Sequence, residues 1–244
     1  MKRRELRWGW STWIGLGFAL FMGIVAFGLT INYWTPFHLR GEFVASDASN
    51  NLMDSRELAN FPIMAQTTEY TCNVVSMAIV MDYLGVPATE QTIRNELGVL
   101  DRTKGMLPNE YLDFAIQAFA PLNVTVALEN PASQAEILNT ISQSLAREMP
   151  VVLFYSTIND WNKPNYDTHY AVVYGIDWQH QIVTISNPYG YSEELTFADL
   201  FAGLDFSNYA AEPFTFRLAR ATGLVHKNSL FIFDYNNTDG SLPS

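Results

Sequence analysis

The sequence predicts an α+β fold, because helix patterns cluster in the first part of the chain and strand patterns follow in the last part. Alternating βαβ units are absent, and there is no Gly-rich phosphate loop, heptad run or internal repeat. Nucleotide binding and a solenoid architecture are therefore not supported. The predicted domain covers residues 61–235, and the polar tail 236–244 is predicted to be flexible.

The predicted helices each have a start signal. Thr71 is a candidate N-cap for a helix over residues 72–84, which Gly85 and Pro87 end. Further helices are predicted after Thr89, from Pro108, after Ser133 and after Thr196. Capping-box spacing supports the last two, with Glu136 following Ser133 and Asp199 following Thr196.

The predicted strands are short segments rich in β-branched and aromatic residues. They cover residues 123–128, 151–156, 169–176, 181–186, 214–220 and 229–235. The turn at residues 177–180 predicts that 169–176 and 181–186 form a hairpin. Tyr155, Trp161 and Tyr170 are candidates to line a peptide groove.

The N-terminal region predicts one membrane span. No charged residue lies between Arg7 and Arg40, and residues 13–31 form an apolar run long enough to cross a bilayer. The basic start MKRRELR and the flanking tryptophans predict a cytoplasmic N-terminus and an extracytoplasmic domain at the cell membrane. The predicted segments are a cytoplasmic basic part (1–10), a transmembrane signal anchor (11–34) and a linker (35–60). A cleaved secretory signal is the alternative, and it also exports the domain.

Charge is distributed unevenly along the chain. The first 40 residues hold five of the 14 Lys and Arg residues and one of the 25 Asp and Glu residues. Residues 41–244 therefore carry 9 basic and 24 acidic side chains, a net charge of −15. This excess disfavours nucleic acid as a partner, since nucleic-acid binding needs a basic surface. It is compatible with steering of cationic peptides or with a simply solvated acidic surface.

Cys72 is the only cysteine, so the chain has no internal disulfide. It stands at the predicted start of a helix, where the helix dipole and unpaired N–H groups lower a thiol pKa. His169 opens one predicted strand as a candidate general base, and Asn187 ends the next as a candidate to orient the imidazole. Gln66, six residues before Cys72, is a candidate oxyanion donor. These four types of residue are those of cysteine acyl transfer.

Other chemistries have less support. A buried Cys72, a strand-end His169 or a turn residue Asn187 can each be purely structural. Metal binding is disfavoured because His38, His180 and His226 share no ligand spacing with Cys72 or His169. No serine lies in a G-x-S-x-G or S-x-x-K motif. No cofactor is predicted.

Gln66, Cys72 on its helix, the strand HYAVVYGID and the turn SNPYG together resemble the papain-like cysteine peptidases of the bacteriocin-processing type, the C39-like family. The resemblance covers residues 61–187. It implies a papain-like α+β fold, Cys72 as nucleophile, His169 as base, Asn187 as orienting residue and Gln66 in the oxyanion hole. Transporter-linked members cut leader peptides after a double glycine. This sequence shows no transporter or ATPase region, so the resemblance does not specify which peptide or protein is the substrate.

Two features differ from the usual family pattern. Asn73, Val74 and Val75 follow the cysteine where Gly and small residues are usual, and Asn187 stands where many members have Asp. The leading hypothesis is a membrane-anchored, extracytoplasmic cysteine peptidase. The alternative is a catalytically silent surface module that binds a peptide or partner protein.

Overall fold

The computed structural model describes residues 54–98, 105–158, 166–208 and 214–236. Six α-helices lie in these ranges: α1 Cys72–Tyr83, α2 Glu90–Leu97, α3 Pro108–Phe119, α4 Gln134–Ala146, α5 Phe197–Leu204 and α6 Phe214–Ala221. The strands are β1 Arg56–Glu57, β2 Val124–Glu129, β3 Val151–Ile158, β4 Tyr166–Asp177, β5 Ile182–Asn187, β6 Tyr191–Thr196 and β7 Ser229–Tyr235. The predicted α+β class is confirmed.

All strand pairs of the sheet are antiparallel, in the order β2-β7-β3-β4-β5-β6. The short strand β1 pairs with Gly175 and Ile176 of β4. The pairing of β3 with β4 ends before these residues, at Val173 of β4. The predicted hairpin between β4 and β5 is present. Its register shifts between Val173 and Gly175, so β4 contains a bulge there.

One face of the sheet is covered by α4 and α5. Ile137, Leu138 and Ile141 of α4 and Leu200 of α5 are fully buried in a cluster with inward residues of β3, β4, β5 and β7. This packing follows from the amphipathic spacing of α4, because apolar residues three and four positions apart share one side of a helix. Burial of each such side chain contributes about 1.5–3 kcal/mol to folding.

The opposite face carries aromatic packing. Tyr111 of α3 stacks on Tyr170 of β4 with ring centroids 4.7 Å apart, and it contacts Phe231 of β7 at 4.4 Å. Helix α1 packs on β4 and also contacts α2 and α3. Its first ten residues, Cys72 to Met81, are all buried, which is typical of a helix surrounded by protein on every side.

Most helix starts agree with the predictions. The side chains of Thr89, Ser133 and Thr196 each accept a backbone N–H from the third residue of their helix. Pro108 opens α3. The predicted capping by Thr71 is wrong, because its hydroxyl donates to the carbonyl oxygen of Thr68 at 3.2 Å instead.

The strand predicted at residues 214–220 is wrong, since residues Phe214–Ala221 form helix α6. Phe214, Phe216 and Leu218 alternate as in a strand. Leu, Ala and Arg, which dominate residues 217–221, are strong helix formers, and they outweigh that short alternation. Residues 214–225 belong to a compact unit separate from the sheet and its helices.

The folded part extends upstream of Phe61, the predicted domain start. Arg56 and Glu57 pair with β4, and Leu58 is buried in the core. The predicted membrane span at 11–34 lies outside the described residues, as does the predicted tail 236–244 except for Asn236. Within the ranges that are described, no helix is both long and apolar enough to cross a bilayer.

Gly203 in α5 provides a test of the packing of this helix on β3. A Cβ at Gly203 would lie 2.9 Å from Cδ2 of Tyr155 and 3.0 Å from the carbonyl oxygen of Ser156. Alanine favours a helix over glycine by about 1 kcal/mol, but overpacking against a backbone atom costs roughly 1–3 kcal/mol. We therefore predict that Gly203→Ala lowers the free energy of unfolding by about 1 kcal/mol in urea titrations. Gly105→Ala is the control, because nothing lies within 4 Å of its Cβ position, and greater stability of Gly203→Ala than of the native chain would contradict the prediction.

Candidate active site

Cys72 is the first residue of α1, as the sequence predicts, and its side chain is buried. Burial raises the pKa of this thiol, and backbone N–H groups of Tyr170, Asn73 and Cys72 itself oppose that shift. Helix α1, which begins with Cys72, packs on β4, the strand that holds His169. Among the described residues, no hydrogen bond joins this thiol to the His169 ring.

The prediction of a lowered thiol pKa is wrong for this structure. Burial is the largest influence and raises the pKa of Cys72 to about 11, and the nearby charge of Asp167 raises it further. Desolvation shifts a buried group by up to ~3–5 pKa units, whereas a helix terminus contributes at most about 2 kcal/mol. The folded resting chain therefore holds Cys72 as a neutral thiol at pH 7.

His169 and Asn187 lie together. Nε2 of His169 is 2.9 Å from Oδ1 of Asn187. A carboxamide oxygen only accepts hydrogen bonds, so Nε2 carries the hydrogen and Nδ1 keeps a lone pair. This is the tautomer that a general base acting through Nδ1 requires.

The His169 ring is enclosed. It stacks on Tyr189, with centroids 4.4 Å apart and an interplanar angle of 13°. Only 2% of His169 is exposed, and burial lowers its pKa to about 4 although the Asn187 bond raises it. The imidazole is therefore neutral at pH 7. Burial raises the pKa of Tyr189 to about 12, and the negative charge of an ionised Cys72 contributes to this shift.

Gln66 lies beside the turn that follows Asn187. Its backbone N–H donates to the carbonyl oxygen of Pro188 at 2.6 Å, and the preceding residue Ala65 forms a bridge with Tyr189. Oδ1 of Asn187 also accepts the backbone N–H of Tyr189 at 3.0 Å. The Gln66 side-chain oxygen is buried and has no hydrogen-bond partner among the described residues. The loop of Gln66 and the Asn187 turn are thus joined by backbone contacts.

Two acidic residues support this arrangement and were missed by sequence reasoning. Glu90 of α2 accepts the Thr67 backbone N–H at 2.8 Å and the Thr67 hydroxyl at 2.7 Å, which fixes the loop between Gln66 and Cys72. Glu193 of β6 accepts Nδ2 of Asn187 at 2.6 Å. No motif marked Glu90, but Glu193 follows Asn187 by six residues across a tight turn, a spacing that can make two strand residues diagonal neighbours on one face of a sheet.

Two of the predicted groove residues belong to the core. Tyr155 and Tyr170 are each 2% exposed, and the Tyr170 hydroxyl donates to the carbonyl oxygen of Met106 at 3.0 Å. Trp161 lies outside the described residues. In the part of the chain that is described, no group of three or more His, Cys, Asp or Glu residues could hold a metal ion.

Comparison with known proteins identifies the family of the chain. The model of the Peptidase_C39 like family matches residues 58–202, which is more than half of the chain and includes all four predicted site residues. The chain belongs to this family. No curated protein matches the chain in sequence.

Solved structures of related peptidases are similar at low identity. A crystal structure described as a C39-like peptidase from Bacillus anthracis has 14% identity and a TM-score of 0.48, and the match covers 74% of this chain and 98% of that one. A double glycine motif protease from an AMS/PCAT transporter, in complex with a leader peptide, has 13% identity and a TM-score of 0.45, with 73% and 94% covered. The peptidase domain of Streptococcus ComA has 12% identity and a TM-score of 0.40, with 71% and 97% covered.

The raised thiol pKa of this C39-like chain can be tested by alkylation. Because Cys72 is the only cysteine, every alkylated thiol reports on it. With a pKa of about 11 when folded and ~8.5 when unfolded, the folded thiol holds roughly a hundredth of the thiolate at pH 8.5. We predict that iodoacetamide reacts about 10²-fold more slowly with native than with urea-unfolded chain. A faster native reaction would show instead that the thiol ionises on folding.

The lowered His169 pKa predicts a pH-dependent stability. An unfolded imidazole binds a proton near pH 6.5, whereas folded His169 does so only at about pH 4, so unfolding takes up a proton between these values. The stabilisation is complete above pH 6.5 and is lost as the pH falls to 4, by up to about 3 kcal/mol. In denaturant titrations at pH 7 and pH 4.5, His169→Gln should reduce this loss, and the exposed control His226→Gln should retain it. Equal losses in both variants would refute the assignment.

Proposed function

We propose that this chain is a cysteine peptidase in which Cys72, His169 and Asn187 carry out acyl transfer on a peptide bond. The observation that supports it most directly is the 2.9 Å contact between Nε2 of His169 and Asn187, which leaves Nδ1 as the ring's proton acceptor. Membership of a peptidase family supports a peptide or protein as substrate. The chemistry uses only groups of the chain itself and water.

In the proposed reaction, the Cys72 sulfur attacks the carbonyl carbon while Nδ1 of His169 takes the thiol proton. The side-chain N–H of Gln66 and the backbone N–H of Cys72 stabilise the oxyanion. The imidazolium then protonates the leaving amine as the C–N bond breaks, which gives a thioester on Cys72. Water attacks the thioester, returns one proton through His169 and releases the acid and the free thiol.

Burial determines how this reaction starts. It disfavours charge on both Cys72 and His169, so the resting pair is a neutral thiol and a neutral imidazole. Proton transfer therefore accompanies the attack on the carbonyl, rather than preceding substrate binding. In this reaction His169 acts as a general base toward a neutral thiol, as the histidine of serine hydrolases does toward a neutral hydroxyl.

We also propose that the domain acts outside the cytoplasm, attached by the N-terminal apolar segment. The support is in the sequence: a basic start, an apolar run at residues 13–31 and flanking tryptophans. Protease protection of the full-length chain in sealed, right-side-out membrane vesicles tests this topology, because external protease should then digest the domain.

A catalytically silent, peptide-binding module is the second candidate. Two observations favour it: the thiol is buried with a pKa raised to about 11, and Asn73 places its Oδ1 on the backbone N–H of Val74 at 2.7 Å, within the first turn of α1. A silent module would bind a peptide but form no acyl-enzyme.

Covalent labelling separates the two candidates. Full-length chain is treated with a mixture of fluorescent peptide vinyl sulfones of randomised sequence, which form a thioether with an active-site thiol. We predict that native chain is labelled, that Cys72→Ala is not, and that His169→Ala is labelled at least about 10²-fold more slowly. Labelling of native chain no faster than that of His169→Ala would support the silent module.

A further inference from the structure

The Asn187 side chain is held by partners that distinguish its oxygen from its nitrogen. Oδ1 faces Nε2 of His169 and accepts the N–H of Tyr189, while Nδ2 donates to Oε2 of Glu193. Asn187 is fully buried, whereas Glu193 is half-buried. The two ends of a carboxamide are nearly equal in shape, and only hydrogen-bond partners determine which end points which way.

Sheet geometry places Glu193 for this contact. Asn187 pairs with Tyr191 across β5 and β6, and Ile185 pairs with Glu193. Glu193 is therefore the diagonal neighbour of Asn187 on the same face of the sheet. Val172 of β4 pairs with Ser186 of β5. In this antiparallel register Asn187 lies diagonally opposite His169, on the same face of the sheet. Three adjacent strands thus contribute one side chain each to a line from His169 through Asn187 to Glu193.

We propose that Glu193 is a positioning residue that selects the reactive tautomer of His169 through Asn187. This inference rests on the proposed peptidase function. A carboxylate only accepts hydrogen bonds, so it requires the NH₂ group of Asn187 to face β6. Oδ1 must then face His169, which places the ring hydrogen on Nε2 and leaves Nδ1 to accept the thiol proton.

The same contact makes residues 187 and 193 a matched pair. An aspartate at position 187 would place its carboxylate against that of Glu193, where the present N···O distance is 2.6 Å. Two adjoining carboxylates must share a proton or separate, and either response disturbs the contact with His169. An aspartate is compatible with this site when position 193 carries a donor, and a glutamine supplies one.

The first test exchanges the hydrogen-bond donor and acceptor between positions 187 and 193. The variants are Glu193→Gln, Asn187→Asp and the double variant Asn187→Asp/Glu193→Gln, with Glu194→Gln as control because Glu194 is exposed on the same strand. With the peptide vinyl sulfones, we expect labelling to slow about tenfold in Glu193→Gln and about 10²-fold in Asn187→Asp. The double variant should recover to within about threefold of native. If the double variant is as slow as the product of the single effects, the proposal is overturned.

The second test does not need activity. Full-length chain labelled with ¹⁵N-histidine reports the tautomer at pH 7, and the loss of signals in His169→Gln assigns them. Native chain and Glu194→Gln should show a hydrogen on Nε2 of His169, whereas Glu193→Gln should show a mixture of tautomers. A native hydrogen on Nδ1, or no change in Glu193→Gln, overturns the proposal. If native chain fails to label but these tautomers are seen, the peptidase proposal fails and the role of Glu193 in setting the tautomer stands.

Discussion

The antiparallel register of β4, β5 and β6 is the constraint on which the candidate site depends. It places His169, Asn187 and Glu193 on one face of three neighbouring strands, at distances that side chains of fixed length can bridge. The core fixes this register, because residues of β4 and β5 below the site are buried against α4 and α5. A register shift of one residue would move the apolar side chains of a strand from the core face of the sheet to the opposite face. The packing of the core therefore fixes the positions of the site residues.

Burial then sets the electrostatic character of the site. A thiol at a helix N-terminus and an imidazole beside a carboxamide both receive interactions that favour their charged forms, yet desolvation reverses the net pKa shift in each case. A buried ion pair would need further hydrogen bonds to offset its desolvation. The neutral pair avoids that cost, and in the proposed reaction charge develops only when the thiol attacks a peptide carbonyl.

Local patterns made much of the fold predictable from the sequence. Caps at Thr89, Ser133 and Thr196 and the hairpin at residues 177–180 each depend on a few neighbouring residues, and the structure contains them. The proximity of His169 and Asn187 followed from a hairpin of known spacing. The burial of Cys72 and the carboxylate of Glu90 on Thr67 depend on contacts between distant segments, which periodicity does not encode. The helix at residues 214–221 was missed because the alternation of Phe214, Phe216 and Leu218 predicts a strand, and the helix propensity of residues 217–221 outweighs it.

The bulge in β4 has a consequence for how such a chain can change over generations. It lies between Val173 and Gly175, and the regular segment from His169 to Val173 runs between it and the site. Amino-acid replacements in this segment alter packing locally. An insertion or deletion there would present Thr168 or Tyr170 to Asn187 in place of His169. Lineages that keep this site should therefore vary the composition of residues 169–173 while preserving their number, and should tolerate length changes in the hairpin turn instead.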